Sequence, residues 1–524
     1  MKKLILIIPI LFFIGCAQPG SPSGGPVDEF PPEVISAVPE NYKTSFEDRS
    51  IEIEFDEFVT LKSPAQNIII TPPLTKDPEF KLKGKTLNIE FNTILDTNTT
   101  YVINFGNSIQ DLNEGNVLED YKYIFSTGDY LDSLVVRGSL RDAYKNEVPE
   151  NIRVHLYAFR EGEDSIPALE LPQYFGSVKE DGTFLITNMK PGKYRVFALA
   201  DANSNYLYDQ PNEMIGFSAP IQLRDTAEVQ ISAFLPTPDI KVTRFRHEGY
   251  GVLKAALNRP IDTVQLSAQD SFSFVSLLGS NRDTAYFYFS PTQRDTLDVV
   301  LASGDYVDTS TIRFKTFPKP QLRVQKTNIS GGFVAPGDSL LFLVNYPIES
   351  IDTSLVHVYE DSTEISFQSS IQNRNLTLKF EKTYDQTYRI VVQDSALIGI
   401  NEIYNDSLGF TAKTKKEIDL GVFILNFTPP DSSSYIIQLV DSKGGIVAEE
   451  RINQRGTQRI HWIDLNPEKL TLRAIRDVND DGQWTTGSYW QNLQPEPVYY
   501  FSESIEIKPN WEIEFNWSEE QFNF

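Results

Sequence analysis

The chain has 524 residues, with 72 acidic against 47 basic side chains, a formal net charge of −25 and 12% aromatic residues. Charge of this sign lacks the basic footprint that binding of nucleic acid requires, and suits a soluble surface and divalent cations instead. One cysteine in the whole sequence leaves no intramolecular disulfide framework to form.

Met1-Lys2-Lys3 is basic and Leu4 to Ile14 is continuously apolar, but this run falls short of the roughly 20 residues that a membrane-spanning helix needs. Residues 1–15 therefore read as an export signal. The break Phe13-Ile14-Gly15-Cys16 resembles the bacterial lipobox, with Phe13 standing where such motifs usually carry Leu. That resemblance implies lipidation of Cys16, which becomes the mature N-terminus. Palmitate-type chains add about 0.8 kcal/mol per buried CH₂, so two or more anchor a protein stably. Residues 16–30 run on through Gln18-Pro19-Gly20-Ser21-Pro22-Ser23-Gly24-Gly25-Pro26, a composition that forms no core and reads as a flexible tether.

Beyond the tether, alternating apolar and polar residues recur, as in Ile51-Glu52-Ile53-Glu54-Phe55 and Leu87-Asn88-Ile89-Glu90-Phe91. No long stretch carries helical periodicity with caps. The expected fold is all-β, a series of tandem sandwiches. Two internal repeats set the expected domains. In the first, 31–128 pairs with 318–413: Leu87 to Phe91 matches Leu376-Thr377-Leu378-Lys379-Phe380, and Thr100-Tyr101-Val102-Ile103 matches Thr387-Tyr388-Arg389-Ile390. In the second, 132–236 pairs with 414–524 at a constant offset: Tyr194-Arg195-Val196-Phe197-Ala198 aligns with Leu470-Thr471-Leu472-Arg473-Ala474, Asp201 with Asp477, and Tyr208 with Trp484. A further domain is expected at 237–317, where Leu257-Asn258-Arg259-Pro260-Ile261 echoes Phe55-Asp56-Glu57-Phe58-Val59.

Residues 31–128 resemble the bacterial Ig-like domain of the S-layer-protein type, through Pro31-Pro32, Ile53-Glu54-Phe55-Asp56-Glu57, Asp111-Leu112-Asn113-Glu114-Gly115-Asn116 and Phe125-Ser126-Thr127-Gly128. Residues 132–236 resemble prealbumin-like modules, through Val136-Arg137-Gly138, Asp181-Gly182-Thr183-Phe184 and Pro191-Gly192-Lys193-Tyr194. The order of these motifs behind Gly15-Cys16 is similar to a group of Ig-like lipoproteins of Bacteroidetes. The resemblance implies a cell-envelope address at the outer membrane and tandem Ig-like and prealbumin-like sandwiches, but no known activity.

The four histidines lie far apart in sequence and form no zinc-hydrolase motif, and neither a nucleophile elbow nor a phosphate-binding loop is present. His155 and His357, each within an alternating run, read as satisfied or exposed strand residues. The distinctive chemistry is a repeated acidic loop. Asp477, Asn479 and Asp481 at positions 1, 3 and 5, followed by Gly482, place oxygen ligands as Ca²⁺ needs, with Gln483 as the expected carbonyl ligand. Position 12 is Ser488, so Glu496 supplies a carboxylate only if the loop folds back. The earlier copy carries Asp201, Asn203, Asn205 and Asp209, with Tyr206 in place of the glycine and Glu213 one place late. Runs of Asx-turns explain both loops without metal. Asp111, Asn113 and Asn116 make a weaker third candidate.

The function expected from the sequence is that of a non-catalytic structural or adhesive scaffold, held to a membrane by its N-terminal lipid and meeting an envelope protein or glycan. The alternative is a carbohydrate-binding accessory of a glycan-processing system. It rests on Trp462, Trp484, Trp490, Trp511 and Trp517, all in the last domain, of which at least three are expected to serve packing.

Overall fold

The computed structural model describes residues 29–522 except 120, 163–164, 204 and 269–271; the export signal and Cys16 lie outside the described residues. Strands dominate, and the only α-helical segments among the described residues are two four-residue turns, Pro64–Asn67 and Ile166–Leu169. The fold is all-β, a tandem array of sandwiches.

Alternation in sequence becomes alternation in burial. Ser50–Phe55 buries Ile51, Ile53 and Phe55 and exposes the residues between them. In the first sandwich (strands from 34 to 126) this strand sits in a sheet ordered Val34–Val38, Ser50–Phe55, Thr86–Glu90, Glu79–Lys83, facing the sheet Ile69–Thr71, Thr100–Asn104, Lys122–Ser126. The fourth sandwich (324 to 413) repeats the first arrangement with Val324–Thr327, Leu340–Val344, Asn375–Lys379 and Gln368–Gln372. A shared lock reinforces the likeness. The Tyr101 hydroxyl accepts from the Asp96 N–H at 2.9 Å, and the Tyr388 hydroxyl accepts from the Thr383 N–H at 2.8 Å. Each tyrosine thus ties its strand to the chain just upstream, as a tyrosine corner does.

The second (134 to 233) and fifth (421 to 517) sandwiches share another topology. A three-stranded sheet in each contains a parallel pair, Leu134–Asp142 with Thr226–Ala233 and Gly421–Phe427 with Glu512–Trp517. A five-stranded sheet completes each: Tyr174–Ser177, Ile152–Ala158, Gly192–Ala200 and Met214–Phe217, with Ile221–Leu223 alongside, and its equivalent around Ser434–Val440 and Lys469–Asp477. Gly138 is required by the parallel pairing, because a Cβ there would lie 1.7 Å from the Val229 carbonyl oxygen. The third sandwich (242 to 313) packs Val242–Gly249, Val252–Leu257, Thr284–Tyr288 and Val275–Leu278 against Gln265–Ala268, Thr296–Ser303 and Tyr306–Arg313.

Contacts join the first sandwich to the second, the third to the fourth and the fourth to the fifth. Thr71 Oγ1 donates to the Phe175 carbonyl at 3.4 Å, and Lys190 Nζ to the Asn98 carbonyl at 2.6 Å. Val252 and Tyr288 of the third sandwich join the core of the fourth. The fourth meets the fifth where the Tyr384 hydroxyl donates to Asp464 at 2.8 Å. The fifth then closes back onto the second, so that sandwiches two to five form a ring.

Candidate functional site

The two acidic loops follow equivalent strands, Gly192–Ala200 and Lys469–Asp477, and fold alike. In the later loop Asp477 is almost fully buried; its Oδ1 accepts from the Asp481 N–H at 3.1 Å and its Oδ2 from the Gly482 N–H at 2.8 Å. Asn479 Oδ1 and Asp481 Oδ1 accept from the N–H groups two residues on, which is the Asx-turn pattern. In the earlier loop the Asp201 carboxylate accepts from the Asn203 and Tyr206 N–H groups, Asn203 Oδ1 from the Asn205 N–H, and Asn205 Oδ1 from the Leu207 N–H. Tyr206 adopts φ +64°, matching the +78° of Gly482. A tyrosine therefore takes the left-handed conformation usually left to glycine, held there by the 2.6 Å bond to Asp201.

The chain after each loop does fold back, and it brings a buried glutamate. Glu496 Oε1 accepts from the Val478 and Asn479 N–H groups and Oε2 from the Thr485 N–H. Glu213, fully buried, accepts from Ala202, Asp209 and Gln210. Glu213 is thus the counterpart of Glu496, reached over a shorter loop. Burial raises the pKa of Glu496 above the usual carboxylate range, against the three N–H bonds that lower it.

The arrangement bears directly on the calcium question. Among the described residues no three His, Cys, Asp or Glu side chains converge as metal ligands do. At the later loop the Arg451 guanidinium donates to Asp477 Oδ2 at 2.9 Å, and the Asn479 amide nitrogen points at Asp481. At the earlier loop the amide nitrogens of Asn203 and Asn205 both donate to Asp209, at 3.1 and 2.8 Å. A cation here requires these amides to turn over and Arg451 to release Asp477. The third candidate is fully engaged by its own turn, because the Asp111 carboxylate accepts four backbone N–H groups from Asn113 to Asn116.

The segment running back from the later loop makes the contact that closes the ring. Tyr489, 7% exposed, inserts into an apolar cluster otherwise built by the second sandwich, with ring centroids 5.5 Å from Phe197, 5.7 Å from Phe217 and 6.0 Å from Tyr208. Gln494 donates to the Phe217 carbonyl and Thr486 to the Leu235 carbonyl, both at 2.9 Å. Trp484 joins its own segment to the second sandwich. Its Nε1 donates to the Glu496 carbonyl, while its ring lies 4.6 Å from that of Tyr144 in the second sandwich. Buried Arg473 donates to the Tyr144 hydroxyl at 2.7 Å, and its guanidinium stands over that ring at 4.3 Å. The Tyr500 hydroxyl donates to the Tyr144 carbonyl.

Apart from Trp484, none of these contact residues stands among the sequence-derived candidates, yet a signal is present. Tyr194-Arg195-Val196-Phe197-Ala198-Leu199 is apolar on both faces of its strand, apart from Arg195. Val196 and Ala198 face the sandwich core, whereas Phe197 and Leu199 face the cluster that Tyr489 enters. A strand apolar on both faces is covered on both faces.

Of the tryptophans, Trp517 is fully buried, Trp462 stacks on Phe423, and Trp484 serves the contact with Tyr144, while Trp490 and Trp511 are 61% exposed. His357 is held between Glu364 and Gln393. His155 departs from expectation: it is buried, neither ring nitrogen has a hydrogen-bond partner, and burial pushes its pKa down to about 3, so the ring is neutral.

Residues 28–127 match the family model described as a bacterial Ig-like domain. The chain thus carries a bacterial Ig-like domain at its first sandwich. No curated protein matches it. Among solved structures it is similar to BcpA, the major pilin subunit of Bacillus cereus, at 8% identity over 74% of this chain and 99% of that one, with a TM-score of 0.14. It is also similar to the S-layer protein rSbsC, at 14% identity over 88% of this chain and 67% of that one, with a TM-score of 0.14. A titin I9–I11 tandem is similar at 11% identity, over 53% and 100% respectively, with a TM-score of 0.13. At these scores the likenesses carry no argument about role. No helix among the described residues is long and apolar enough to cross a membrane.

Proposed function

We propose that this Ig-like domain protein is a non-catalytic scaffold or adhesin of the cell envelope, anchored by lipid on Cys16 in the outer membrane and presenting its sandwiches to a protein or glycan partner. The observation that carries this reading is the closure of the ring. The fifth sandwich is fixed on the second by Tyr489, Trp484 and Arg473, so the chain from the second to the fifth is closed on itself rather than strung out. Sandwiches fixed in this way display their loops and free strand edges in a set geometry, which is what recognition by a scaffold needs. The Gly/Pro/Ser tether at 16–30 supplies reach from the membrane.

The test is capture of the intact protein from its native envelope after chemical cross-linking, alongside Cys16→Ala. The expected result is one or a few envelope components recovered in fixed ratio, with the wild type in the detergent phase and the variant out of it. Equal detergent partitioning and equal mature mass for the two proteins would overturn the anchor. Recovery of no envelope component would overturn the scaffold.

A further inference from the structure

The first sandwich has two unlike ends. Ser50–Phe55 pairs antiparallel with Thr86–Glu90, with Ser50 opposite Glu90 and Glu54 opposite Thr86. The chain leaves from the Ser50 end, where the Phe46 ring lies 6.0 Å from that of Phe91 and the Phe46 N–H donates to the Ser126 carbonyl at 2.9 Å. It enters at the Glu54 end, where the Glu33 N–H donates to Asp56 Oδ1 at 2.7 Å and the Asp56 N–H to the Glu33 carbonyl at 3.0 Å. This entry end carries Phe58 and Leu112, 52% and 58% exposed, joined by a 2.9 Å bond from the Leu112 N–H to the Phe58 carbonyl. Lys85 Nζ stands 5.9 Å from the Phe58 ring centroid, and Leu82, on the same hairpin as Lys85, is also exposed.

In the fourth sandwich the equivalent end is covered. The Ile400 N–H donates to the Pro347 carbonyl at 3.0 Å, the counterpart of the bond between Leu112 and Phe58. There Tyr346 is 7% exposed, its ring 5.7 Å from that of Tyr288 in the third sandwich, and Asn401 Nδ2 donates to the Phe289 carbonyl at 3.0 Å. The fourth sandwich thus seats on this end the element that precedes it in the chain. What precedes the first sandwich is the tether at 16–30 and Cys16. Fully extended, residues 16–30 span at most about 50 Å, so the entry end stays within that distance of a lipid on Cys16.

We propose that the entry end of the first sandwich seats on the surface of the bilayer that holds the Cys16 lipid, with Phe58, Leu112 and Leu82 at the acyl boundary. The inference rests on the anchoring at Cys16 proposed above. Exposed apolar side chains grouped at one end of a domain mark contacts of this kind. Phe and Leu enter the interfacial layer, while Lys83 and Lys85 keep their amines at headgroup level. Glu33, Asp56, Glu57 and Glu114 outnumber these lysines, so the surface that fits is zwitterionic rather than anionic. Once the lipid holds the chain, seating is an intramolecular step, and a few side chains suffice.

Polarity-sensitive probes on the lipidated full chain in phosphatidylcholine vesicles test this. Leu112→Cys places a probe at the entry end; Ile94→Cys places one at the exit end, at a position 95% exposed. Brominated phosphatidylcholine should quench the probe at 112 at least threefold more than the probe at 94. Phe58→Glu, an exposed change that leaves the core untouched, should cut the quenching at 112 at least twofold. Equal quenching at the two positions with the chain retained on the vesicles, or no effect of Phe58→Glu, would overturn the seat alone. Loss of the chain from the vesicles would overturn the anchor and the seat with it. Shielding of the probe at 112 in Cys16→Ala chains without vesicles would assign this end to a second copy and overturn the bilayer as its occupant.

Discussion

Replacing Tyr489 by alanine removes a ring that belongs to the fifth sandwich by sequence and to the second by packing. Its neighbours Phe197, Tyr208 and Phe217 lie at centroid distances of 5.5–6.0 Å, and all come from the second sandwich. Truncating a buried aromatic residue costs about 3–5 kcal/mol. Because these neighbours lie across the contact, most of that cost falls on the closing equilibrium rather than on the core of the fifth sandwich around Phe423, Leu425 and Trp517. At about 1.4 kcal/mol per factor of ten, closure weakens by roughly two to four orders of magnitude. The bonds from Arg473, Gln494 and Thr486 remain, but they are oriented by the docked surface and do not replace its apolar centre. Small-angle scattering should show a larger radius of gyration for Tyr489→Ala. Hydrogen exchange should quicken in 197–199 and 215–217, which line the contact, while the remaining strands of both sandwiches stay protected. Unchanged scattering and unchanged exchange in a folded variant would refute the assignment of Tyr489 as the closing residue.

Calcium at the acidic loops should raise the melting temperature of the full chain in millimolar Ca²⁺ relative to chelator, with a Kd of roughly 10⁻⁴ to 10⁻³ M, as in extracellular modules. Asp477→Ala should remove most of the shift contributed by the later loop, and Arg451→Gln should enlarge it by freeing Asp477 Oδ2. Identical curves with and without the ion would leave both loops as Asx-turns. The raised pKa of Glu496 has a defined sign: its contribution is most favourable below the ordinary glutamate value of 4.5 and is lost as pH rises through the raised folded value. Melting of the wild type relative to Glu496→Gln should therefore fall as pH rises across that window, and a flat difference would contradict the burial argument. Limited proteolysis should cut near residues 130, 236, 317 and 413, with the fifth sandwich still bound to the second after the first cuts; dominant cleavage inside 132–236 would count against five folded units.

Local patterning made the strands legible. Ile51 to Phe55 and Leu87 to Phe91 advertise one buried face each, and that is how they pack. Tyr101 and Tyr388 stood out as repeat partners, although their shared backbone lock depends on a hydrogen bond that no sequence pattern states. The acidic loops are legible as loops, but two of their features are set by contacts that no sequence pattern states. Tyr206 adopts the left-handed conformation of the glycine it replaces. Glu213 is held by the backbone N–H groups of Ala202, Asp209 and Gln210. Ring closure was the least legible feature, because it joins residues more than 250 positions apart; only the doubly apolar strand Gly192–Ala200 and the aromatic density from Trp484 to Tyr500 hinted at it. His155 shows the same limit, since nothing local indicates that a strand histidine will be buried with neither ring nitrogen partnered.

Extension of single full chains held at the two ends by optical tweezers tests the closed, interlocked scaffold most directly. Five sandwiches give five large unfolding steps, and closure between the second and fifth adds one earlier, smaller release. That early release should occur in the wild type and disappear in Tyr489→Ala, with the five large steps kept. A wild-type trace in which the chain extends to the first large step without any earlier release would contradict the account.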